Sequence, residues 1–186
     1  ITPGYWELPD ANIASFKDGW FDTGDLGRMD EDGYLFITGR KKRLLKTDGG
    51  KYVAPEKLEN AFDGQGELIQ YVVPVGDGRP FIGALIFVNQ VAARSLVTAS
   101  GATVPTENAA AFFASNPLVL NRVKEIIAAA NAKLERWETM KQFSIVPVEA
   151  TVDNELLTNK LSIRTEKVLE RYGEMVDELY TRRKSD

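Results

Sequence analysis

The chain has 186 residues, a formal net charge of −4, and neither cysteine nor histidine. Their absence excludes disulfides, thiol chemistry, histidine-dependent nucleophiles and histidine-containing zinc sites. The acidic total argues against a nucleic-acid-binding domain, because such domains are usually basic. No apolar run approaches the ~18–20 residues that span a bilayer. The absence of cysteine fits a reducing, cytoplasmic compartment. No signal peptide is visible, and the first residue is Ile rather than Met, so we expect a fragment.

Residues 1–40 are rich in turns. Aromatic and β-branched residues stand between Gly/Asp clusters, which predicts short strands joined by tight turns. The sequence DEDG (30–33) predicts a hairpin turn before the strand YLFITG. Forty residues of strand are too few to bury a core alone. We therefore expect this segment to pack against another part of the same protein.

The rest of the chain predicts an α+β fold, with a short sheet flanked by helices and preceded by the β-rich tail. Short extended pieces surround a turn at 47–50, and two apolar runs around GDGR predict a hairpin. Asn116 is the expected cap of a long helix, and Thr165 that of the last helix, with a break at Gly173. The predicted strands are 67–75, 80–88 and 142–148, and the predicted helices are 55–62, 90–99, 107–114, 118–135 and 165–180.

FDTGDLG (21–27) places a carboxylate on a tight glycine turn. In that position Asp25 could accept two hydrogen bonds from a ribose diol, as acidic residues do in dinucleotide sites. The alternative is an ordinary surface turn, since Asp-Gly pairs are turn residues in any case.

TGRKKRLLKTDGGK (38–51) contains six Lys or Arg among fourteen residues. Arg40 ends a predicted strand, and its guanidinium could bind hydroxyl or phosphate oxygens. No apolar residue separates Lys41, Lys42 and Arg43, so this part is a solvated connection. The P-loop spacing is absent, which argues against a self-contained triphosphate site. A solvated run without a ligand remains the alternative.

Four stretches in order resemble the C-terminal part of the adenylate-forming acyl-CoA synthetases: GYW (4–6), DGWFDTGDLG (18–27), DGYLFITGRKKRLLKTDGGKYVAPEKLE (32–59) and DNELLTNKLSIR (153–164). The segment GGKYVAPEKLE looks most like the long-chain fatty acyl-CoA synthetase branch. The resemblance implies that a large N-terminal domain converts a fatty acid and ATP to an acyl-adenylate and pyrophosphate. Coenzyme A then displaces AMP. A small C-terminal domain, the lid, rotates between the two half-reactions.

The resemblance also implies a division of the chain and a set of roles. Residues 1–40 would be the tail of the large domain, 41–182 the lid, and 183–186 a terminal tail. Asp25 and Arg40 match the residues that hold the AMP ribose, and Lys41 and Lys42 match the hinge. Lys46, Gly49 and Gly50 match the loop that turns to the active site for thioester formation, where Lys46 would steady negative charge. A plain hairpin turn is the alternative for that loop.

The sequence departs from the family at the adenylation lysine. The family pattern is LTPTLK, whereas this chain has LTNKLS over 157–162, so Ser162 occupies the lysine position. Lys160 lies two residues earlier. In an extended segment it would point to the same side as Ser162, about 6.5–7 Å away, and is a candidate substitute. The alternative is that Lys160 is merely solvated and adenylation is impaired.

The resemblance implies ATP/AMP, Mg²⁺ and CoA in the full-length enzyme, with none bound tightly by the fragment, which we expect to be inactive alone. Its partners would be the large N-terminal domain, the fatty acid and CoA, with peripheral membrane contact left open and no nucleic acid. Two other interpretations remain. Ser162 favours a non-catalytic lid of a degenerate protein that binds nucleotide or acyl ligand. A nucleic-acid-binding module rests on 40–46 alone.

Overall fold

The structure, a computed structural model, describes residues 2–181. Two compact units divide between Leu44 and Leu45. The predicted tail 183–186 lies outside the described residues.

The first unit contains one short helix and two small antiparallel sheets. Its elements are α1 (Pro9–Ser15), β1 (Phe16–Lys17), β2 (Trp20–Phe21), β3 (Asp25–Met29), β4 (Leu35–Arg40) and a 3₁₀ turn (Lys41–Arg43). β1 pairs with β2, and β3 pairs with β4. The predicted hairpin turn at 30–33 is confirmed, because the Asp30 carboxylate accepts the N–H groups of Asp32 and Tyr34.

Helix α1 corrects the prediction that residues 1–40 form only strands and turns. Pro9 lies in its first turn, where a missing N–H costs nothing. The Asn12 side chain bonds both the N–H and the C=O of Tyr5, which ties the helix to the preceding chain. That contact joins residues seven apart, so local patterning did not reveal it.

This unit has almost no interior. Among its described residues, Gly39 is the one that is buried. Trp6 and Trp20 are 86% and 81% exposed. Large apolar side chains of this unit are therefore exposed, and its packing against another part of the protein stays a prediction.

The second unit is built on one three-stranded sheet. Strands β7 (Ile69–Val75) and β8 (Ile82–Val88) form the predicted antiparallel hairpin, and β9 (Met140–Ile145) runs parallel to β8. A smaller hairpin pairs β5 (Leu45–Lys46) with β6 (Tyr52–Val53). The helices are α2 (Pro55–Asn60), α3 (Gln90–Ala99), α4 (Ala109–Ser115), α5 (Pro117–Asn131) and α6 (Thr165–Thr181). The predicted α+β class is confirmed.

The sheet separates two apolar clusters, because alternate side chains of a strand point to opposite faces. One face, the bundle face, packs Val72 and Ile86 with residues of α3, α4 and α5. The other, the α6 face, packs Val73 and Leu85 with Leu179 of α6. A register shift between Ile69 and Tyr71 places Ile69 on the bundle face and Tyr71 on the α6 face.

Several boundaries differ from the predicted ones for identifiable reasons. Asn116 caps α5 as predicted, accepting the N–H groups of Leu118 and Val119. The third strand begins at Met140, two residues earlier than predicted, because Met140 already pairs with Ile82 of β8. The Asn131 side chain also bonds both backbone groups of Met140. It ends at Ile145, and Pro147 cannot continue a paired strand.

Helix α6 starts and bends differently from the prediction. Thr165 is its first helical residue rather than a cap preceding it, and the Val168 N–H bonds to the Arg164 carbonyl. The backbone departs from helical geometry at Tyr172 (φ −117°, ψ 26°), one residue before the predicted break at Gly173.

Candidate functional site

Asp25 and Arg40 lie opposite each other across the β3–β4 hairpin. The strand register pairs them directly, and Arg40 Nε lies 2.7 Å from Asp25 Oδ1. The structure thus brings together the two residues that the sequence assigned to ribose binding.

A cleft of about 440 Å³ lies beside this pair in the first unit. Three consecutive cations, Arg40, Lys41 and Lys42, line one part of it, whereas Asp25 is not among the lining residues. Its other lining residues are Tyr5, Ala14, Ser15, Phe21, Asp22, Thr23 and Gly24. Positive charge beside aromatic rings suits a phosphate-bearing ligand with a planar base.

Asp22 is a cleft residue that the sequence analysis missed. Its Oδ1 accepts the Gly24 N–H at 2.9 Å, and its Oδ2 lies 3.3 Å from Lys41 Nζ. The Gly24 hydrogen bond, followed by the Lys41 contact, lowers the pKa of the Asp22 carboxyl. The Asp-Thr-Gly order carried the signal, because aspartate in that position commonly bonds the N–H two residues later.

The Lys46–Gly50 loop is the tip of the β5–β6 hairpin. Its turn is closed by the Gly50 N–H on the Thr47 carbonyl and by the Thr47 N–H on the Lys51 carbonyl, both 2.9 Å. Gly50 has φ +75°, a conformation that favours glycine. A Cβ on Gly50 would meet nothing within 4 Å, so the tip leaves room for a ligand to approach the backbone.

The Lys46–Gly50 loop rests on the turn between β7 and β8. Lys46 donates its N–H to Asp77 Oδ1 at 3.0 Å and accepts the Gly78 N–H at 2.8 Å. The Asp48 N–H donates to the Arg79 carbonyl at 3.0 Å. The Lys46 ammonium lies 5.6 Å from the centre of the Tyr52 ring.

Lys160 and Ser162 lie in a second hairpin, closed by pairing of Leu157 with Ile163. The expectation of an extended segment is wrong here, because the Leu161 N–H bonds to the Thr158 carbonyl at 2.8 Å and Leu161 has φ 59°. Lys160 therefore sits within a tight turn, and the same-side argument linking it to Ser162 fails.

Both side chains of the Lys160 hairpin remain accessible. Lys160 and Ser162 are exposed, and no acidic group of residues 2–181 pairs with the Lys160 ammonium. The Thr158 hydroxyl accepts the N–H groups of both residues. The Tyr71 hydroxyl donates to the Leu161 carbonyl at 2.9 Å, which anchors the turn to β7.

The two hairpins are on opposite sides of the sheet. Leu45 and Val53 of the first pack on the bundle face, whereas Leu157 and Ile163 of the second pack on the α6 face. They also meet opposite ends of β7. The first contacts the turn after Val75 and the second contacts Tyr71, a separation of about 13 Å along the strand.

Neither a metal cluster nor a membrane-spanning helix is found in the described residues. Across residues 2–181, no group of three or more acidic side chains is arranged to hold a metal ion. Over the same range, no helix has the length and apolarity needed to cross a membrane.

A family profile described as AMP-binding enzyme C-terminal domain matches residues 42–184. Long-chain-fatty-acid–CoA ligase FadD15 of Mycobacterium tuberculosis is 37% identical over 98% of this chain. Long chain acyl-CoA synthetase 1 of Arabidopsis thaliana is 32% identical over 95%. The A domain of carboxylic acid reductase from Segniliparus rugosus, solved with AMP and a co-purified carboxylic acid, superposes with a TM-score of 0.75 over 98% of the chain at 23% identity.

The chain corresponds to a minor part of each of these proteins. It spans 30% of the Mycobacterium ligase, 26% of the Arabidopsis synthetase and 27% of the reductase A domain. Most of each relative therefore has no counterpart in these 186 residues.

Proposed function

The chain belongs to the family of AMP-binding enzyme C-terminal domains, and we propose that it is the C-terminal portion of an ATP-dependent long-chain fatty acid–CoA ligase. The observation that carries the proposal is the placement of two candidate hairpins on opposite faces of one sheet. A domain with that arrangement can offer one hairpin at a time to a shared active site. Curated relatives named as long-chain ligases support the choice of substrate.

The proposed reaction has two steps that need different helpers. In the first, a carboxylate oxygen attacks the α-phosphorus of ATP and pyrophosphate leaves. In the second, the CoA sulfur attacks the acyl carbon, the C–O bond to phosphate breaks, AMP leaves and the thiol proton passes to water. A cation beside the phosphate favours the first step, and a loop that admits the pantetheine chain favours the second.

We assign the Lys160 hairpin to adenylation. Its ammonium is exposed and pairs with no acidic group of the described chain, so it can bind an anionic ligand without first breaking an ion pair. It sits at the tip of a turn that Tyr71 anchors. These features support Lys160 as the substitute for the lysine that Ser162 replaces.

We assign the Lys46–Gly50 loop to thioester formation. Gly50 has open space where a side chain would stand, a Cβ on Gly49 would only just touch the Thr47 hydroxyl at 4.0 Å, and Lys46 offers a positive charge at the base of the loop. The pantetheine arm could therefore pass close to the backbone.

The nucleotide would be held by the first unit. Arg40 lines the cationic cleft and can reach ribose or phosphate oxygens, while Asp25 holds its guanidinium. The chain then leaves that unit through Lys41 and Lys42, both exposed, which suits a hinge. Lid rotation about these residues would bring each hairpin to the acyl group in turn.

The remaining partners follow from this assignment. The large N-terminal domain would supply the acyl pocket and most ATP contacts. The described residues contain no suitable acidic cluster for Mg²⁺, so any such ion would be held with ATP on that domain. The cytoplasmic location and the peripheral membrane contact stay predictions.

ATP–pyrophosphate exchange with a long-chain fatty acid tests the proposal on the full-length protein. The natural sequence should exchange, and Lys160→Ala should lose most of that activity. Lys124→Ala, which removes an exposed lysine from α5, is the matched control and should retain it. Absence of exchange in the natural protein, with ATP binding intact, would overturn the ligase assignment.

The second candidate function is a non-catalytic lid that binds nucleotide or acyl ligand. Ser162 at the lysine position is the observation that favours it. Under this alternative the natural protein does not exchange pyrophosphate, and Ser162→Lys restores or improves the exchange.

A further inference from the structure

The β7–β8 turn is the platform on which the Lys46–Gly50 loop rests. Three hydrogen bonds join them, and two use backbone groups on both sides. The third is different, because the Lys46 N–H donates to the Asp77 side chain at 3.0 Å. Asp77 is therefore the side chain through which substitution can loosen the loop without altering the loop itself.

The platform is itself fixed from beneath by the end of α6. The Tyr180 hydroxyl lies 3.1 Å from the Val75 carbonyl and 3.3 Å from the Phe81 carbonyl, one on each stem of the turn. Arg79 forms an ion pair with Asp177, and its guanidinium carbon lies 5.0 Å from the centre of the Tyr180 ring. The turn thus has little freedom to follow a loop that moves.

Tight packing reinforces this rigidity. A Cβ on Gly76 would lie 2.6 Å from Ile82 Cδ1 and 3.2 Å from the Phe81 carbonyl oxygen. Gly78 has φ +63°, a conformation that favours glycine. The turn therefore presents the Asp77 carboxylate from a backbone that is narrowly defined.

We propose that Asp77 is a positioning residue for thioester formation, acting by holding the Lys46 amide and hence the loop at the approach of the thiol. The inference rests on the proposed function and adds a residue that touches neither nucleotide nor acyl group. Without the carboxylate, the Lys46 N–H would turn to water and the loop would sample other positions. Small misplacements of a reacting group lower rates strongly, so the cost falls on the step that uses the loop.

The two half-reactions, measured separately on the full-length protein, test the role of Asp77. Adenylation is followed by ATP–pyrophosphate exchange, and thioester formation by the reaction of pre-formed acyl-adenylate with CoA. Asp77→Ala should slow thioester formation about tenfold and keep the rate of ATP–pyrophosphate exchange within about twofold of that of the natural protein. Asp77→Asn keeps an oxygen acceptor and should recover most of the rate.

Asn89→Ala is the matched control, since Asn89 accepts two backbone N–H groups at the start of α3, beyond the far end of β8. It removes comparable hydrogen bonding without contacting the loop and should not separate the two half-reactions. Amide hydrogen exchange gives a second readout, in which Asp77→Ala should speed exchange at Lys46 and Asn89→Ala should not.

Equal loss of both half-reactions in Asp77→Ala, or no loss in either, overturns the positioning role while the ligase assignment stands. A natural protein that performs neither half-reaction overturns both proposals. A loss of rate confined to thioester formation, with faster amide hydrogen exchange at Lys46, supports the positioning role.

Discussion

Arg40 is held in place by an ion pair whose rearrangement costs little free energy. Its side chain is 63% exposed and that of Asp25 is 28% exposed, and exposed pairs contribute only about 0–1 kcal/mol. A ligand hydroxyl or phosphate could therefore share the guanidinium at small cost. Asp25 would keep the side chain aimed at the ligand rather than lock it away.

Replacing Arg40 with Ala in the full-length protein should raise the apparent KM for ATP about tenfold, through loss of a charge-assisted hydrogen bond. The measurement is the ATP dependence of pyrophosphate exchange. Arg28→Ala is the control, because Arg28 lies in the same hairpin over the Phe36 ring and does not line the cleft. Unchanged ATP dependence in Arg40→Ala would contradict the nucleotide role.

Tyr180 should make the chain sensitive to alkali. Burial raises the pKa of its hydroxyl from 10.0 to about 12, so the folded state favours the neutral form. The stability this gives is full below pH 10 and is lost as pH rises through about 12. Two pKa units correspond to at most about 2–3 kcal/mol.

The test of Tyr180 is the free energy of unfolding in urea, measured from neutral pH through this alkaline window. The natural chain should lose stability more steeply than Tyr180→Phe, which has no hydroxyl to ionise. Parallel pH profiles for the two chains would contradict the expectation.

Single residues differ in how far the sequence reveals them. The hairpin between β3 and β4 is visible in its turn, but the pairing of Asp25 with Arg40 also depends on a bulge between Leu26 and Gly27 that shifts the register by one residue. The position of Lys160 is not visible in the sequence, because the turn depends on the Thr158 carbonyl and on Leu161 adopting φ 59°, a conformation that leucine rarely takes. Residue propensities do not predict this positive φ at Leu161. The hydrogen bond from the Tyr71 hydroxyl to the Leu161 carbonyl is a tertiary contact that accompanies it.

At the level of elements, two glycines of the second unit differ in whether a side chain would fit at their position. A Cβ on Gly173 in α6 would meet nothing within 4 Å. The missing side chain therefore relieves no crowding and only adds freedom to the backbone. A Cβ on Gly83 in β8 would lie 3.2 Å from Leu179 Cδ1, 3.4 Å from the Gln142 carbonyl oxygen and 3.4 Å from Val75 Cγ2. Gly83 therefore lets α6 pack closely on the sheet.

Gly173→Ala should raise the free energy of unfolding by about 0.5–1 kcal/mol, through helix propensity. Gly83→Ala should lower it by about 1–3 kcal/mol, through overpacking. Urea denaturation of the 186-residue chain measures both. Destabilisation by Gly173→Ala would show that the bend at Tyr172 requires glycine next to it.

The existence of elements was easier to predict than their limits. Apolar β-branched runs marked β7 and β8, and helical spacing marked α5. The start of β9 is not visible in the sequence, because it depends on the pairing of Met140 with Ile82, a residue 58 positions earlier in the chain. The parallel pairing of β9 with β8 was not predicted either, since alternation within a strand carries no information about its neighbour.

For the whole molecule, Lys42→Pro is the variant that tests the hinge. Proline fixes φ near −65° and disfavours helical geometry at Lys41, so it restricts the connection at two residues. We expect one half-reaction to slow at least about tenfold more than the other. Lys42→Ala removes the charge and leaves the backbone free, so it should keep their ratio. Equal losses in Lys42→Pro would indicate misfolding rather than restricted rotation.

The lack of a buried core in the first unit could be predicted from its length, whereas the faces that the hairpins of the second unit occupy could not. A segment of forty residues with Gly/Asp turns cannot enclose its own aromatic side chains. Which face each hairpin occupies depends on the packing of Leu45 and Val53 on the bundle face and of Leu157 and Ile163 on the α6 face. Those are tertiary facts that no local pattern encodes.

Because the two hairpins lie on opposite faces of the sheet, they can reach a shared acyl group only one after the other. A sheet of packed strands is stiff, so one hairpin cannot swing round to join the other at a single acyl group. Under the proposed function, the acyl-adenylate would stay bound in the active site until the lid has rotated and the Lys46–Gly50 loop has replaced the Lys160 hairpin. The lifetime of that mixed anhydride, and with it the chance of losing it to water, would be set by how quickly the lid reorients.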